Sequence, residues 1–402
     1  QRKEAPRHFD IATLAIAEAT STSNSQDERL MHECLALAEE RLGLTSPNPA
    51  VGCVIVRGNR IVGRGATAIG GRPHAETQAL SEAEGLARGA TAYVSFEPCA
   101  HQGQTPPCAR ALVEAGVARV VVGCLDPYPP VRGRGVSILK AAGIATVVGV
   151  LEQECRRLNE GFISRVTRGR PFVTLKLAMS LDGRIAAADG DSRWISSESS
   201  RRLVHRWRRE ADVVMVGAGT VIADNPRLTC RIEGGRDPIR VVVDQRLRSP
   251  VGARIFHQKS RAPTIIATAE AKAALVKRRY GKRVEAIAVP ATGDEIALGE
   301  VMRELGRRGY GKVLVEGGAH LAGSALRARV VDRVAFFIAP RIIGCGLPSV
   351  EGILARTVRA AIRLENLNAR LVGDDWLLEA DVTRKNTLKR GAHAKLSPSA
   401  MR

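Results

Sequence analysis

Three side chains far apart in the chain, His74, Cys99 and Cys108, restrict its folding more than any apolar run does. A zinc ion that activates water takes three protein ligands and keeps a fourth position open, and one imidazole with two thiolates meets that need. A fold that uses them must bring these separated points to within a few ångströms of one centre. Glu76, two residues beyond His74, is then close enough for its carboxylate to take a proton from activated water and return it elsewhere.

His74-Ala75-Glu76 followed by Glu97-Pro98-Cys99 repeats the order found in zinc deaminases, where water attacks a ring carbon that bears an exocyclic amine. In those enzymes the two cysteines usually stand as Cys-x-x-Cys, whereas Cys108 lies well beyond that spacing. The longer excursion still permits tetrahedral closure but rebuilds the pocket wall, which argues against a close relative of tRNA- or DNA-editing deaminases. The bland alternative makes the three residues bystanders in a reduced protein. Pro98-Cys99 and Pro106-Pro107-Cys108 around one His-x-Glu favour the chemical reading.

A chain of 402 residues exceeds one comfortable hydrophobic core, so two domains are expected. No apolar run is long enough to cross a bilayer. The eight cysteines follow no disulfide-rich spacing, which points to a reducing cytoplasm. The start carries none of the three parts of a signal peptide, and Glu4, Asp10 and Glu18 count against a transit sequence. Opening on Gln1 suggests that an initiator precedes it, and residues 1–27 read as a loosely ordered lead. A formal charge of +20 draws anions of some kind, but 3% aromatic residues leave few platforms for stacked bases. Residues 384–402 carry basic side chains with no acid and read as an inert, disordered tail.

Along the chain, strands and helices alternate, which indicates sheets with helices on their faces. Asp27 reads as the cap of an amphipathic helix reaching about Leu42, and Gly58-Asn59 as a hairpin turn. His74 and Glu76 begin a helix, Cys99 follows a strand, and Cys108 opens another helix. Arg168-Gly169-Arg170-Pro171 holds the stop signals of a domain junction, giving domains at 28–167 and 168–383. In the second half, Gly217-Ala218-Gly219-Thr220 lets a ligand approach backbone closely. The Lys312–Val315 strand with Gly317-Gly318 leads into a helix start whose amides suit a phosphate, although such a pair taken alone is more often a plain tight turn. Arg208 and Arg231 either hold a phosphate bidentately or belong to a solvated face.

Taken together, Thr45-Ser46-Pro47-Asn48-Pro49, His74-Ala75-Glu76-Thr77-Gln78-Ala79-Leu80, the Glu97 to Cys108 segment, Ser180-Leu181-Asp182-Gly183-Arg184, Trp194-Ile195-Ser196-Ser197 and Val315-Glu316-Gly317-Gly318 resemble the bifunctional deaminase/reductases of riboflavin biosynthesis, the RibD type. The likeness spans about residues 28 to 383. It implies a two-domain α/β protein: a cytidine-deaminase-like three-layer α/β/α domain with zinc, then a dihydrofolate-reductase-like α/β domain using NADPH. The first would remove ammonia from a phosphoribosylated diaminopyrimidinone, and the second would reduce the ribose of that product to ribityl.

Carried over by motif, His74, Cys99 and Cys108 match the zinc ligands and Glu76 the proton carrier, with Asn48 and His101 lining the pyrimidine pocket. Ala178, Trp194, Thr220, Asp224, Ser249 and Gly318, Ala319, His320, Leu321, Ala322, Gly323 and Ser324 match positions that hold NADPH. Ser192, Arg208, Leu228, Arg231 and Glu316 match positions that hold substrate, and Tyr128 departs from the asparagine usual in its loop. The expected partner is a small phosphorylated pyrimidine and a second copy of the chain, with neither nucleic acid nor membrane. Two competing readings are a nucleic-acid-acting zinc deaminase and a deaminase whose second half is a non-catalytic dimerising module.

Overall fold

The computed structural model describes residues 11–101, 106–129 and 131–383. Its first helix, α1 (Ile11–Glu39), starts well upstream of Asp27, so residues 11–27 are not the loose lead that their composition suggested. Ile11 to Ala19 are mostly alanine and other strong helix formers, which carries the helix back past the polar Thr20 to Ser25 stretch. Asp27 is therefore no cap. Its buried carboxylate accepts bonds from Tyr93 Oη at 2.9 Å and from the Arg119 guanidinium at 2.7 and 2.9 Å. Residues 1–10 and the basic tail 384–402 lie outside the described residues.

The first sheet has the order β2-β1-β3-β4-β5, formed by β1 (Gly52–Arg57), β2 (Arg60–Ala66), β3 (Thr91–Phe96), β4 (Arg119–Cys124) and β5 (Ala145–Val148). The hairpin β1-β2 and the pair β1-β3 are antiparallel, while β3, β4 and β5 run parallel. Helices α3 (Cys108–Glu114) and α4 (Arg134–Ala141) are the crossovers the two parallel pairs require, and α2 (Ala75–Ala83) leads from β2 to β3. Leu30, Met31 and Cys34 of α1 join Val54, Val94 and Val121 in one dry core.

Two short helices, α5 (Glu152–Leu158) and α6 (Glu160–Arg168), lead to the second sheet. Gly169 ends α6 in the left-handed region at φ 67°, where lack of a Cβ removes the steric cost. The second sheet contains β6 (Phe172–Ser180), β8 (Val213–Gly217), β9 (Ile239–Val243), β10 (Thr264–Ala269), β11 (Val284–Val289), β14 (Lys312–Val315), β15 (Arg333–Ala339), β17 (Leu364–Val372) and β18 (Asp375–Val382). Its order is β11-β10-β9-β8-β14-β6-β15-β18-β17, parallel through β15 and antiparallel for the last two strands. Short ladders add β7 (Arg184–Ala187) with β16 (Gly346–Pro348), and β12 (Ala291–Thr292) with β13 (Glu295–Ile296). Helices α7 (Glu198–Glu210), α8 (Ala218–Asp224), α9 (Glu270–Tyr280), α10 (Leu298–Arg307) and α11 (Ala319–Arg327) complete this half.

The halves are pinned by polar side chains as well as by chain continuity. Glu160 accepts from Arg333 Nη1 at 2.7 Å and lies 3.3 Å from Lys312 Nζ, while within the first half the neighbouring Asn159 side-chain amide brackets the backbone N–H and C=O of Ala50 at 2.9 Å each. No helix among the described residues is long and apolar enough to cross a membrane.

Candidate functional site

Strand β2 carries glycine where α2 packs on it. A Cβ at Gly63 would stand 2.2 Å from the Ala79 carbonyl oxygen, and one at Gly65 would stand 2.1 Å from that of Ala75. Only glycine lets the helix lie this close, and the contact sets the depth of the helix start that holds His74 and Glu76. His74 is the N-cap residue of α2, and Glu76 sits in the first turn, 3% exposed. Cys99 follows β3, and Cys108 opens α3.

These elements bring the three expected ligands together. His74 Nδ1 lies 3.3 Å from Cys108 Sγ and 3.7 Å from Cys99 Sγ, and all three donor atoms fall within 4.8 Å of one another. Tetrahedral Zn–N and Zn–S bonds of roughly 2.0 and 2.3 Å place the nitrogen and sulfur about 3.6 Å apart, so the group fits zinc without rearrangement. Among the described residues it is the one His, Cys, Asp and Glu cluster that does so.

The donor groups are tied to one another by hydrogen bonds. The Cys99 thiol is pulled down to about 4, first by a hydrogen bond from Cys108 and also by the Cys108 amide and His74. Cys108 moves the opposite way, because it donates to Cys99 and is buried. A divalent cation replaces that shared proton and favours both thiolates. Burial raises the Glu76 carboxyl to about 7, and His74 is raised by its bond with Cys99.

Two further residues shape this site. Glu97 is buried and gathers four backbone amides, from Asp126 at 3.0 Å, Gly133 and Gly135 at 2.9 Å and Val136 at 3.3 Å. It thereby ties Asp126 and Gly133–Val136 to the end of β3, two residues before Cys99. Glu97 belongs to the Glu97-Pro98-Cys99 motif, but nothing in the linear spacing signals this task. Asn48 donates from Nδ2 to the Gly71 carbonyl at 2.9 Å, which fixes its amide against the turn leading into His74. His101 is exposed two residues beyond Cys99, and Tyr128 is exposed on the tied segment. Residues 102–105 lie outside the described residues.

In the second half, two cavities of about 530 Å³ each meet at Ile185, Ser192, Thr220, Asp224 and Gly318. The first is lined by Gly217–Thr220, by Gly318, Ala319, His320, Leu321 and Ser324, and by the Asp244–Arg246 turn with Arg248. Gly219 has open space where a side chain would stand. Ser192, Arg208, Leu228, Arg231 and Glu316 all line the second cavity, and so do Ala178 and Trp194.

Three expected cofactor contacts are not on these walls. Ser249 is fully buried, its amide donating to Asp244 Oδ2 at 2.8 Å, because the turn after β9 brings Gln245, Arg246 and Arg248 to the cavity instead. Ala322 and Gly323 lie on the inward side of α11, Ala322 in the core and Gly323 against the Glu351 carbonyl. The phosphate-gripping reading of Arg208 also needs correction. Its Nε and Nη2 donate to the two Glu316 oxygens at 2.7 and 2.8 Å, and Nη1 donates to the Thr229 carbonyl at 3.2 Å. The fork is committed; Arg231 stays exposed to the cavity.

Lys176 of β6, which sequence reading passed over, lines the same cavity near Arg208 and Glu316, and its ammonium stands 5.7 Å over the Phe337 ring. Burial lowers its pKa. A lone lysine within Phe-Val-Thr-Leu-Lys-Leu-Ala was the available signal.

Comparison with known proteins follows this division. Residues 24–124 match the cytidine and deoxycytidylate deaminase zinc-binding region, and residues 171–378 match the RibD C-terminal domain. The riboflavin biosynthesis protein RibD of Synechocystis is 41% identical over 353 residues, covering 87% of this chain and 95% of that protein. That of Escherichia coli is 40% identical over 345 residues, 81% and 92% of the two. A solved Thermotoga maritima structure, described as a diaminohydroxyphosphoribosylaminopyrimidine deaminase/5-amino-6-(5-phosphoribosylamino)uracil reductase, is 37% identical with a TM-score of 0.80, covering 90% of this chain and all of that one.

Proposed function

This chain belongs to the RibD family, the bifunctional zinc deaminase/NADPH reductases of riboflavin biosynthesis, and from that membership we propose how its own side chains divide the two reactions. The observation that carries the first assignment is the closely spaced His74, Cys99 and Cys108 donor set with buried Glu76 beside it. Those three residues would hold zinc, which when bound lowers the pKa of water to about 7. Glu76 takes the proton from the attacking water and delivers it to the departing amine, so that ammonia leaves as oxygen enters. Asn48 and His101 orient the pyrimidine.

In the second half Gly217–Thr220 and Gly318–Leu321 seat NADPH, which supplies the hydride. Ser192, Leu228, Arg231 and the Arg208–Glu316 pair hold the phosphoribosyl substrate, with Lys176 added to that group. The two cavities share Ile185, Ser192, Thr220, Asp224 and Gly318, so a cofactor held in the first and a substrate held in the second would be neighbours. The domain boundary follows from the same division, deaminase to residue 167 and reductase from 168 to 383. All eight cysteines are free, which supports a cytoplasmic location.

Zinc removal tests the division. A chelator is expected to abolish ammonia release while NADPH oxidation on the deaminated substrate continues, and added Zn²⁺ but not Mg²⁺ restores the first reaction. Loss of both activities together would refute separate sites.

We also propose that the protein is a homo-oligomer. Edge strand β17 leaves Leu364, Leu367 and Leu371 45%, 67% and 60% exposed, beside Trp376 of β18 at 49%. An apolar, unpaired edge of this kind is a pairing surface unless something covers it. Sedimentation of the wild type should give at least twice the 43.1 kDa chain mass, and Leu367→Lys with Leu371→Lys should return it to the monomer. A monomeric wild type at micromolar concentration would overturn this arrangement.

A further inference from the structure

The turn that carries Asn48 does not rest on its own domain alone. Within it, Thr45 Oγ1 donates to the Asn48 backbone carbonyl at 3.0 Å and the Asn48 backbone N–H donates to the Thr45 carbonyl at 2.9 Å, so the four residues move as one unit. Its underside is loosely filled, with a cleft of about 50 Å³ lying between Thr45–Ala50 and residues of the second half, Asp212 and Lys312 among them. Besides the Asn48 Nδ2 bond to the Gly71 carbonyl, the turn is held by the few bonds that cross that space. Ser46 Oγ donates to Asp212 Oδ1 at 2.6 Å, and Arg165 Nη2 donates to the Pro47 carbonyl at 2.7 Å.

Asp212 is well placed to act as a fixed anchor. It is 4% exposed, stands just before β8, and its other oxygen accepts the Gly311 and Lys312 amides at 2.8 and 3.0 Å at the start of β14. Two central strands of the reductase sheet thus hold the carboxylate that holds Ser46. A charge-assisted bond this short is among the stronger kinds available to a hydroxyl.

We propose that Asp212, a residue of the reductase half, is a positioning residue for the deaminase: through Ser46 it fixes the Thr45–Asn48 turn and so aims the Asn48 amide at the pyrimidine. The proposal rests on the assignment of Asn48 to the deaminase pocket. Its consequence is that the deaminase site is complete only when the reductase sheet stands behind it.

The test uses the full chain. Ser46→Ala removes the bond and leaves Asp212 its backbone partners, and it should raise KM for deamination about tenfold with kcat changed less than about twofold. Zinc content and both reductase constants should stay at wild-type values. Ser46→Thr, which keeps the hydroxyl, should recover most of the lost KM. Asn48→Ala is measured in parallel. If Asn48→Ala weakens deamination and Ser46→Ala does not, the brace is wrong; if Asn48→Ala has no effect, the Asn48 assignment fails and the proposal with it. A Ser46→Ala variant that loses kcat and zinc together would also overturn it, since that pattern marks general damage to the domain.

Discussion

Glu76→Gln is expected to keep full zinc occupancy, lose ammonia release by a factor on the order of 10³, and leave NADPH-dependent reduction of the deaminated substrate untouched. The substitution keeps the shape of a side chain that is 3% exposed and removes only its ability to carry a proton. His74, Cys99 and Cys108 remain, so the metal site persists while the proton route does not. Zinc measured by elemental analysis and the two reactions assayed separately decide the matter. A Gln variant that deaminates within tenfold of wild type would mean that another group moves the proton; Glu97, just before Cys99 in the motif, has its oxygens occupied by backbone amides.

That prediction stands on residues already legible in the linear chain, and the reason is chemical. Zinc demands particular donors in a particular geometry, so a histidine, a neighbouring glutamate and two Pro-Cys steps narrow the possibilities before any fold is known. Residues that work by being held are far less visible. Glu97 acts through four amides from another segment, and Gly63 and Gly65 act through a helix that packs on them; neither partner can be counted from spacing. Ser249 failed for a related reason. A turn after a strand exposes some positions and buries others according to how it bends, and here Asp244 draws the Arg248 and Ser249 amides inward. Asp27 looked like a cap because aspartate caps helices, but alanine-rich sequence upstream lets α1 continue through it.

Arg208 shows the same limit and leads to the second large effect. Its charge suggested a phosphate grip, but the structure gives it a protein partner in an almost sealed place, with side-chain exposures of 13% for Arg208 and 9% for Glu316. Removing one member of such a pair leaves the other charge buried without compensation, which costs about 3–5 kcal/mol. Glu316→Ala should therefore lower the stability of the reductase half by that amount and abolish reduction, while deamination survives below the new transition. All three tryptophans, Trp194, Trp207 and Trp376, lie in the second half, so their fluorescence reports its unfolding.

The pH dependence of that stability separates the pair from simple loss of packing. Burial alone would raise the Glu316 carboxyl, but Arg208 outweighs it and the net shift is downward from 4.5. A carboxyl depressed in the folded state adds stability above its unfolded pKa, and that stability is lost as pH falls through the lower folded value. Wild-type protein should thus lose this contribution only below pH 4.5, and Glu316→Ala should lack that acid-dependent part of the curve. Arg208→Met combined with Glu316→Leu should regain stability without regaining reduction, because an apolar pair of similar volume replaces buried charges at little cost. If the double variant instead recovered NADPH-dependent reduction, Arg208 and Glu316 would be scaffold alone and the substrate would have to be held by Lys176, Ser192 and Arg231.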